Sequence, residues 1–360
     1  MKRFLSLICV TAVLCGTLIS GAYAASAQGF TYEVKADGTV RLKQFNNMYA
    51  TDVTVPSSIA GMSVTEIGAN CFKSKTGLVS VTVPQGVTAI GSYAFSGCIS
   101  LQSVTLPSSV KSLGAYCFNN CSALSAINLN NVESIGDKCF YCNSALTSAD
   151  TGTSLRYMGA YAFYKCTALA SVVFSPVLEQ IGSYAFAYCK LLTGAAFPNT
   201  LESVGNSAFM SCETLASVTF GSGIVQIGSY AFENCPALLA ITLPPNVTQI
   251  GKGAFQLRDN ETEISHSKLV ITCASGSAAY AYCTANGVTA DVREFEIGFV
   301  LGDVTGDMRL TTNDARIVLR CAVGIQSISS NYFTAADYDG NGKIETDDAR
   351  LILRAAVGLA

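Results

Sequence analysis

Val81-Thr82-Val83-Pro84-Gln85-Gly86-Val87-Thr88-Ala89-Ile90-Gly91-Ser92-Tyr93-Ala94-Phe95-Ser96-Gly97-Cys98-Ile99-Ser100-Leu101-Gln102-Ser103 is one copy of a unit that recurs along the chain. An apolar–Gly pair returns at Gly68, Gly91, Gly114, Gly136, Gly159, Gly182, Gly205, Gly228 and Gly251, every 23 residues except for one step of 22. Four residues after each Gly comes Phe: Phe72, Phe95, Phe118, Phe140, Phe163, Phe186, Phe209, Phe232 and Phe255. Ten residues after the Gly comes Leu in eight units, from Leu78 to Leu238; the ninth has Glu261, where the array ends. A period of this length marks a solenoid, because one rung cannot bury its own apolar face and stacked rungs share a core. Within 81–103, Val81 and Val83 alternate as a short strand. Val87, Ile90, Phe95, Cys98 and Leu101 are expected to point inward. At about 4.8 Å per parallel strand, nine rungs make a rod roughly 40 Å long.

The unit resembles the BspA-type leucine-rich repeat of bacterial surface proteins, over residues 61–255. That resemblance implies an α/β-type leucine-rich-repeat solenoid of short parallel strands, here placed at 61–261. The flanks read as caps. At 25–60, Phe30–Val34 and Gly38–Leu42 bracket Asp37-Gly38, a hairpin signal. At 262–292 a strand (268–273), a helix (277–286), Gly287 as helix stop and a last strand follow in turn. Terminal strands of a solenoid need such cover.

The repeat register also explains the cysteines. Cys98, Cys121, Cys166, Cys189, Cys212 and Cys235 fall three residues after the Phe, and Asn143 fills the same column. Cys71, Cys117 and Cys139 form a second column where other rungs have Ala. Stacked positions lie about 4.8 Å apart, whereas a disulfide wants Cβ atoms at roughly 3.5–4.5 Å. The ladder is therefore expected to be packed thiols. Cys273 and Cys283 lie off the repeat, and whether they are bridged is left open.

Half of the 360 residues are hydrophobic, 13% are charged, and the formal net charge is -3. This excludes a disordered chain and gives no basic excess for a nucleic-acid partner. Lys2 and Arg3, the apolar run from Phe4 to Ile19, and Ala22-Tyr23-Ala24 form a signal peptide at 1–24. No later stretch is long and apolar enough for membrane insertion.

Charge concentrates at the end of the chain. Residues 61–255 hold 16 charged side chains in 195, and residues 302–360 hold 14 in 59. Beyond a linker at 293–301, two loops lie 34 residues apart. Asp303, Thr305, Asp307, Thr311 and Asp314 occupy positions 1, 3, 5, 9 and 12 of the first, with the Arg309 carbonyl at position 7. Asp337, Asp339, Asn341, Glu345 and Asp348, with the Lys343 carbonyl, do so in the second. Hard oxygen donors at this spacing suit Ca²⁺, and two calcium sites are expected. Gly342 supplies the sharp turn at position 6, where the first loop has Met308, so the second site is expected to bind more tightly. A helix is expected after each loop, with nine identities in fifteen between 311–325 and 345–359.

This duplicated loop–helix unit, at 302–360, resembles a dockerin module. The resemblance implies a small all-α calcium-binding domain and a cohesin domain of a scaffoldin as partner. It also implies contacts through Thr312, Asn313 and Arg320 and, in the second half, Thr346, Asp347 and Arg354. It implies an extracellular, cell-surface-associated, cellulosome-like setting and polysaccharide catabolism.

No catalytic constellation is found: His266 is alone, and no nucleophile elbow, zinc motif or phosphate loop occurs. The strand face, from Thr82 through Asn128 and Asp150 to Thr242, is small and weakly charged. Just after the Phe, Tyr141 and Tyr164 share a column with Tyr188 diagonal to them, a candidate contact for a protein or glycan. The column of Tyr93, Tyr116, Tyr161, Tyr184 and Tyr230 is read as repeat packing. The chain is thus expected to be a secreted, non-catalytic recognition or adhesion protein, with a carbohydrate-active accessory or enzyme as the alternative.

Overall fold

The structure is a computed structural model that describes residues 25–259, 262–264, 268–292, 304, 311–325, 336–339 and 342–357. The expected signal peptide, the linker, His266, Asp303, Thr305, Asp307, Arg309 and Asn341 lie outside the described residues.

Residues 62–255 wind as an in-register stack of parallel rungs in which every row follows from one column of the repeat. Three-residue strands such as Ser80–Thr82 and Ser103–Thr105 pair in register, Val81 with Val104. A second row was not anticipated from sequence. The residue before each repeat Gly lies in a strand, usually of only two residues. These strands pair in parallel, Ile67 with Ile90 with Leu113 with Ile135, and on to Ile250. This second row is the more continuous of the two. It runs without a break from the N-terminal hairpin to Gln249–Ile250. The rest of each rung is a chain of turns, and the described helices all lie outside the rungs.

The repeat Gly is required by proximity. Gly91 donates its N–H to the Ile67 carbonyl at 2.7 Å. A Cβ on Gly91 would lie 2.5 Å from the Ala69 nitrogen. Backbone atoms cannot yield to such a contact, so only Gly lets the rungs close. The turns are also hydrogen-bonded between rungs, as from Phe95 N–H to the Cys117 carbonyl at 2.8 Å.

The inward residues of 81–103 are buried as expected: Val81, Val83, Val87, Ile90, Phe95, Cys98 and Leu101. The nine repeat Phe rings stack along the axis, 4.8 Å apart for Phe72 and Phe95 and 5.4 Å for Phe232 and Phe255. Both ends of this stack are closed. Phe30 and Phe45, from Phe30–Val34 and Val40–Phe45, pack on Phe72 at 5.6 and 5.1 Å. At the other end helix α1 (Ala278–Asn286) sets Tyr282 edge-on against Phe255 at 5.8 Å, and its hydroxyl accepts from the Phe255 N–H at 3.2 Å. Ser277 caps α1, and Gly287 ends it in the left-handed conformation (φ 64°).

The described residues of the C-terminal segment include two long helices, α2 (Thr312–Ala322) and α3 (Thr346–Ala356). They pack together around Val304, Ala315, Val318, Ala336, Ala349 and Ile352. Ala315 pairs with Ala349 and Val318 with Ile352 in the 34-residue register of the duplication.

Candidate functional site

The duplication reappears in the hydrogen bonds that shape each loop. Asp314 is fully buried; its carboxylate accepts from the Val304 N–H at 3.1 Å and from the Thr311 N–H at 2.8 Å. Asp348, also fully buried, accepts from the Tyr338 N–H at 2.8 Å and the Glu345 N–H at 2.8 Å. The two position-12 residues thus tie the start of each loop to the start of the helix that follows. Asp337 accepts from Gly342 N–H at 2.7 Å, and Gly342 has φ 82°. That is the sharp turn expected at position 6.

Asp337, Asp339 and Asp348 each bring a carboxylate oxygen to within 4.8 Å of the others. Three carboxylates this close repel unless a cation lies among them, and an all-oxygen donor set fits a hard divalent ion. Lys343 and Glu345 are exposed beside the cluster. In the first loop only Thr311 and Asp314 of the expected ligands are described, so the geometry of its metal pocket lies outside the described residues.

Thr312, Asn313 and Arg320 are exposed on α2, as are Thr346, Asp347 and Arg354 on α3. Arg316 donates to Asn313 Oδ1 at 2.7 Å, and Arg350 pairs with Asp347 at 3.4 Å. Sequence reasoning passed over the apolar neighbours of these residues. Leu319 and Leu353, one turn from the helix ends, are 45% and 44% exposed, and Val323 and Val357 are also exposed. Their matched spacing of 34 was the available signal.

On the rod, Tyr141 and Tyr164 stack at 4.9 Å and Tyr188 meets Tyr164 edge-on at 5.4 Å. The column read as repeat packing is packed, but at the surface. Tyr93 stacks on Tyr116 at 4.6 Å and Tyr161 on Tyr184 at 4.7 Å, and all four are half-buried. Tyr161 also touches Tyr164, at 5.4 Å, so the two columns join. Lys138 takes the place of a Tyr between Tyr116 and Tyr161, which sequence reasoning did not weigh.

The cysteine ladder faces the turn backbone. Cys98, Cys121, Cys166, Cys189, Cys212 and Cys235 each donate to the carbonyl of a repeat Phe, at 3.1–3.3 Å. Asn143 is fully buried in the same column and accepts from the Cys121 N–H at 2.9 Å. No disulfide occurs among the described residues, and the thirteen described cysteines, Cys273 and Cys283 included, are thiols. Burial pushes the Cys98, Cys121, Cys166, Cys189, Cys212 and Cys283 thiols up, Cys98 to about 12 and Cys283 to about 11. They are therefore poor nucleophiles.

No described helix is long and apolar enough to cross a membrane. Comparison with known proteins matches residues 65–193 and 179–292 to the BspA-type leucine-rich repeat region, and residues 301–355 to the dockerin type I domain. No curated protein matches the chain. Among solved structures, a leucine-rich repeat protein from Bacteroides ovatus is 24% identical with a TM-score of 0.57. That match covers 71% of this chain and 66% of the other. A T. pallidum leucine-rich repeat protein is 24% identical with a TM-score of 0.46, covering 60% and 91%. The Bacteroides likeness supports the solenoid fold.

Proposed function

The chain belongs to the BspA-type leucine-rich-repeat family, and from that premise we propose that it is a secreted, non-catalytic adaptor with a different partner at each end. Its C-terminal module matches the dockerin type I domain, which binds calcium and implies attachment to a cohesin. Its rod is a repeat-mediated interaction module.

The convergence of Asp337, Asp339 and Asp348 carries this reading. In it, two calcium ions hold the duplicated loops. The second loop uses Asp337, Asp339, Asn341, Glu345, Asp348 and the Lys343 carbonyl. The first uses Asp303, Thr305, Asp307, Thr311, Asp314 and the Arg309 carbonyl. Cation binding removes carboxylate repulsion and so completes the fold of the module. The helices then present Thr312, Asn313 and Arg320, or Thr346, Asp347 and Arg354, to a cohesin. Equivalent exposed side chains in both halves support use of either half.

The matched modules are non-catalytic, so the rod is read as a binding surface. Its partner is a protein or a glycan, met at Tyr141, Tyr164 and Tyr188. A bridging assay tests the adaptor reading. The full chain, loaded on a resin bearing type I cohesin in calcium, is expected to capture a ligand from a panel of polysaccharides and secreted proteins. A resin that retains the chain and captures nothing through it contradicts the reading.

A further inference from the structure

The turn side of the first six rungs differs in charge from the rest of the rod. Between each repeat Gly and the Leu ten residues on, these rungs contain Lys73, Lys75, Lys138, Lys165 and Lys190 against one carboxylate, Asp137. Of these, Lys190 is ion-paired, and so are several cations outside the strip. Lys35 pairs with Asp37, Arg41 with Glu33 and Glu66, Lys43 with Glu33, Lys111 with Glu133, Arg156 with Glu179, and Lys190 with Glu213. Lys73, Lys138 and Lys165 have no carboxylate partner among the described residues and lie over tyrosine rings instead. Lys73 Nζ is 5.0 Å from the Tyr93 ring centre. Lys138 sits between Tyr116 and Tyr161 at 5.2 and 5.1 Å, and Lys165 between Tyr164 and Tyr188 at 5.5 and 5.7 Å.

Two features set this strip apart from incidental surface tyrosines. The stacked rings cover one another's faces, so what remains for a partner is a row of ring edges and phenol hydroxyls. The row repeats once per rung, at 4.6–4.9 Å within each stacked pair. In addition, Tyr93, Tyr116, Lys138, Tyr161 and Tyr184 all sit at φ between 56° and 60°. That region disfavours bulky L side chains, and Gly253 fills the same position in the ninth rung at φ 63°. Large side chains are therefore held in five successive rungs at a position that suits Gly.

We propose that this Tyr–Lys strip binds a uronic-acid-bearing polysaccharide laid along the rod, its carboxylates at Lys138 and Lys165 and its hydroxyls on the phenols. The inference rests on the reading of the rod as a recognition module and names the ligand class. Ammonium groups without carboxylate partners and hydroxyl donors call for a partner rich in acceptors and negative charge. The Tyr141 and Tyr164 phenols are protonated donors at neutral pH like any tyrosine, and burial pushes them further up. The spacing favours a glycan over an acidic protein. An extended peptide advances about 3.3 Å per residue and falls out of step with the row, whereas one sugar unit of a linear chain is close to one rung.

The test is calorimetric titration of the full secreted chain with linear oligogalacturonate and oligomannuronate long enough to span six rungs. Parallel arms use the same oligomers with carboxyls reduced to alcohols, and polyglutamate. At least one uronate is expected to bind. Carboxyl reduction, or Lys138→Gln with Lys165→Gln, should each weaken it by about tenfold. Lys111→Gln, on the strand side, should leave it unchanged. The lysine variants leave the calcium loops intact, so their difference from the parent chain reads the rod alone, and melting curves confirm their fold. Binding of neither uronate, indifference to the lysine pair, or lysine-dependent binding of polyglutamate in preference to both uronates overturns the proposal. If a neutral glycan or a protein binds the rod and the lysine pair is irrelevant, the recognition reading stands and this inference falls. If nothing binds the rod, both fall.

Discussion

The Sγ of Cys121 donates a hydrogen bond to the carbonyl oxygen of Phe95, 3.1 Å away and 26 residues back in the chain. The same bond joins Cys98 to Phe72 and Cys166 to Phe140, so the thiols satisfy carbonyls that the turns leave facing the core. Their protonated form is the one that fits. Folded thiols titrate above unfolded ones, Cys98 at about 12 against about 8.5 for a free thiol. The stability they contribute is therefore complete below about pH 8.5 and is lost as pH rises toward 12. The midpoint of thermal unfolding should hold steady up to about pH 8 and fall above it. With Cys98→Ala and Cys121→Ala the decline should be shallower. A decline of equal slope in parent and variant would remove the thiols as its cause.

The same thiols can be counted. Alkylation of a chain spanning residues 25–360, in denaturant without reductant, should modify all thirteen described cysteines. In the native chain the half-buried Cys142 and Cys321 should react first. Protection of a pair in denaturant would reveal a disulfide.

Close approach of rungs makes a sharp prediction at glycine. A Cβ on Gly114 would lie 2.5 Å from the Ser92 nitrogen and 2.7 Å from the Gly91 carbonyl carbon. Both are backbone atoms, so Gly114→Ala should destabilise the rod by about 1–3 kcal/mol, as overpacking does. A Cβ on Gly77 would meet nothing within 4 Å. Gly77→Ala should stay within about 0.5 kcal/mol of the parent. Denaturant unfolding of the two variants separates proximity from a general intolerance of substitution.

Calcium removal should act on one part of the molecule only. With EDTA, helical circular dichroism from α2 and α3 should fall while the main thermal transition of the rod stays in place. Asp348→Ala should mimic half of this effect, since Asp348 both closes the carboxylate cluster and accepts from Tyr338 and Glu345. Full helicity in EDTA would contradict coupling of the metal to the fold.

Much of the rod was legible because each column of the repeat reports one environment. Phe72 to Phe255, the cysteine ladder and the glycines could be assigned from spacing alone. The second strand row was not, because strands as short as Ala89–Ile90 carry no alternation to read. Tyr282 as the lid on Phe255 was hidden for a different reason: its role depends on how α1 docks, which no local pattern encodes. Lys138 was missed because a column of Tyr reads as packing until its one cation is placed between two rings. In the C-terminal module the 34-residue duplication announced both helices and the position-12 carboxylates. The exposed pairs Leu319/Leu353 and Val323/Val357 were passed over because an apolar residue in a helix reads first as core.

Retention of the full chain on immobilised type I cohesin, measured in calcium and again after EDTA, tests the attachment claim most directly. The account predicts retention in calcium, release in EDTA and recovery when calcium is restored. It further predicts that Arg320→Ala or Arg354→Ala alone is tolerated, while the two together weaken binding by about tenfold or more. Absence of retention by any type I cohesin in calcium, or retention that persists in EDTA, would contradict it.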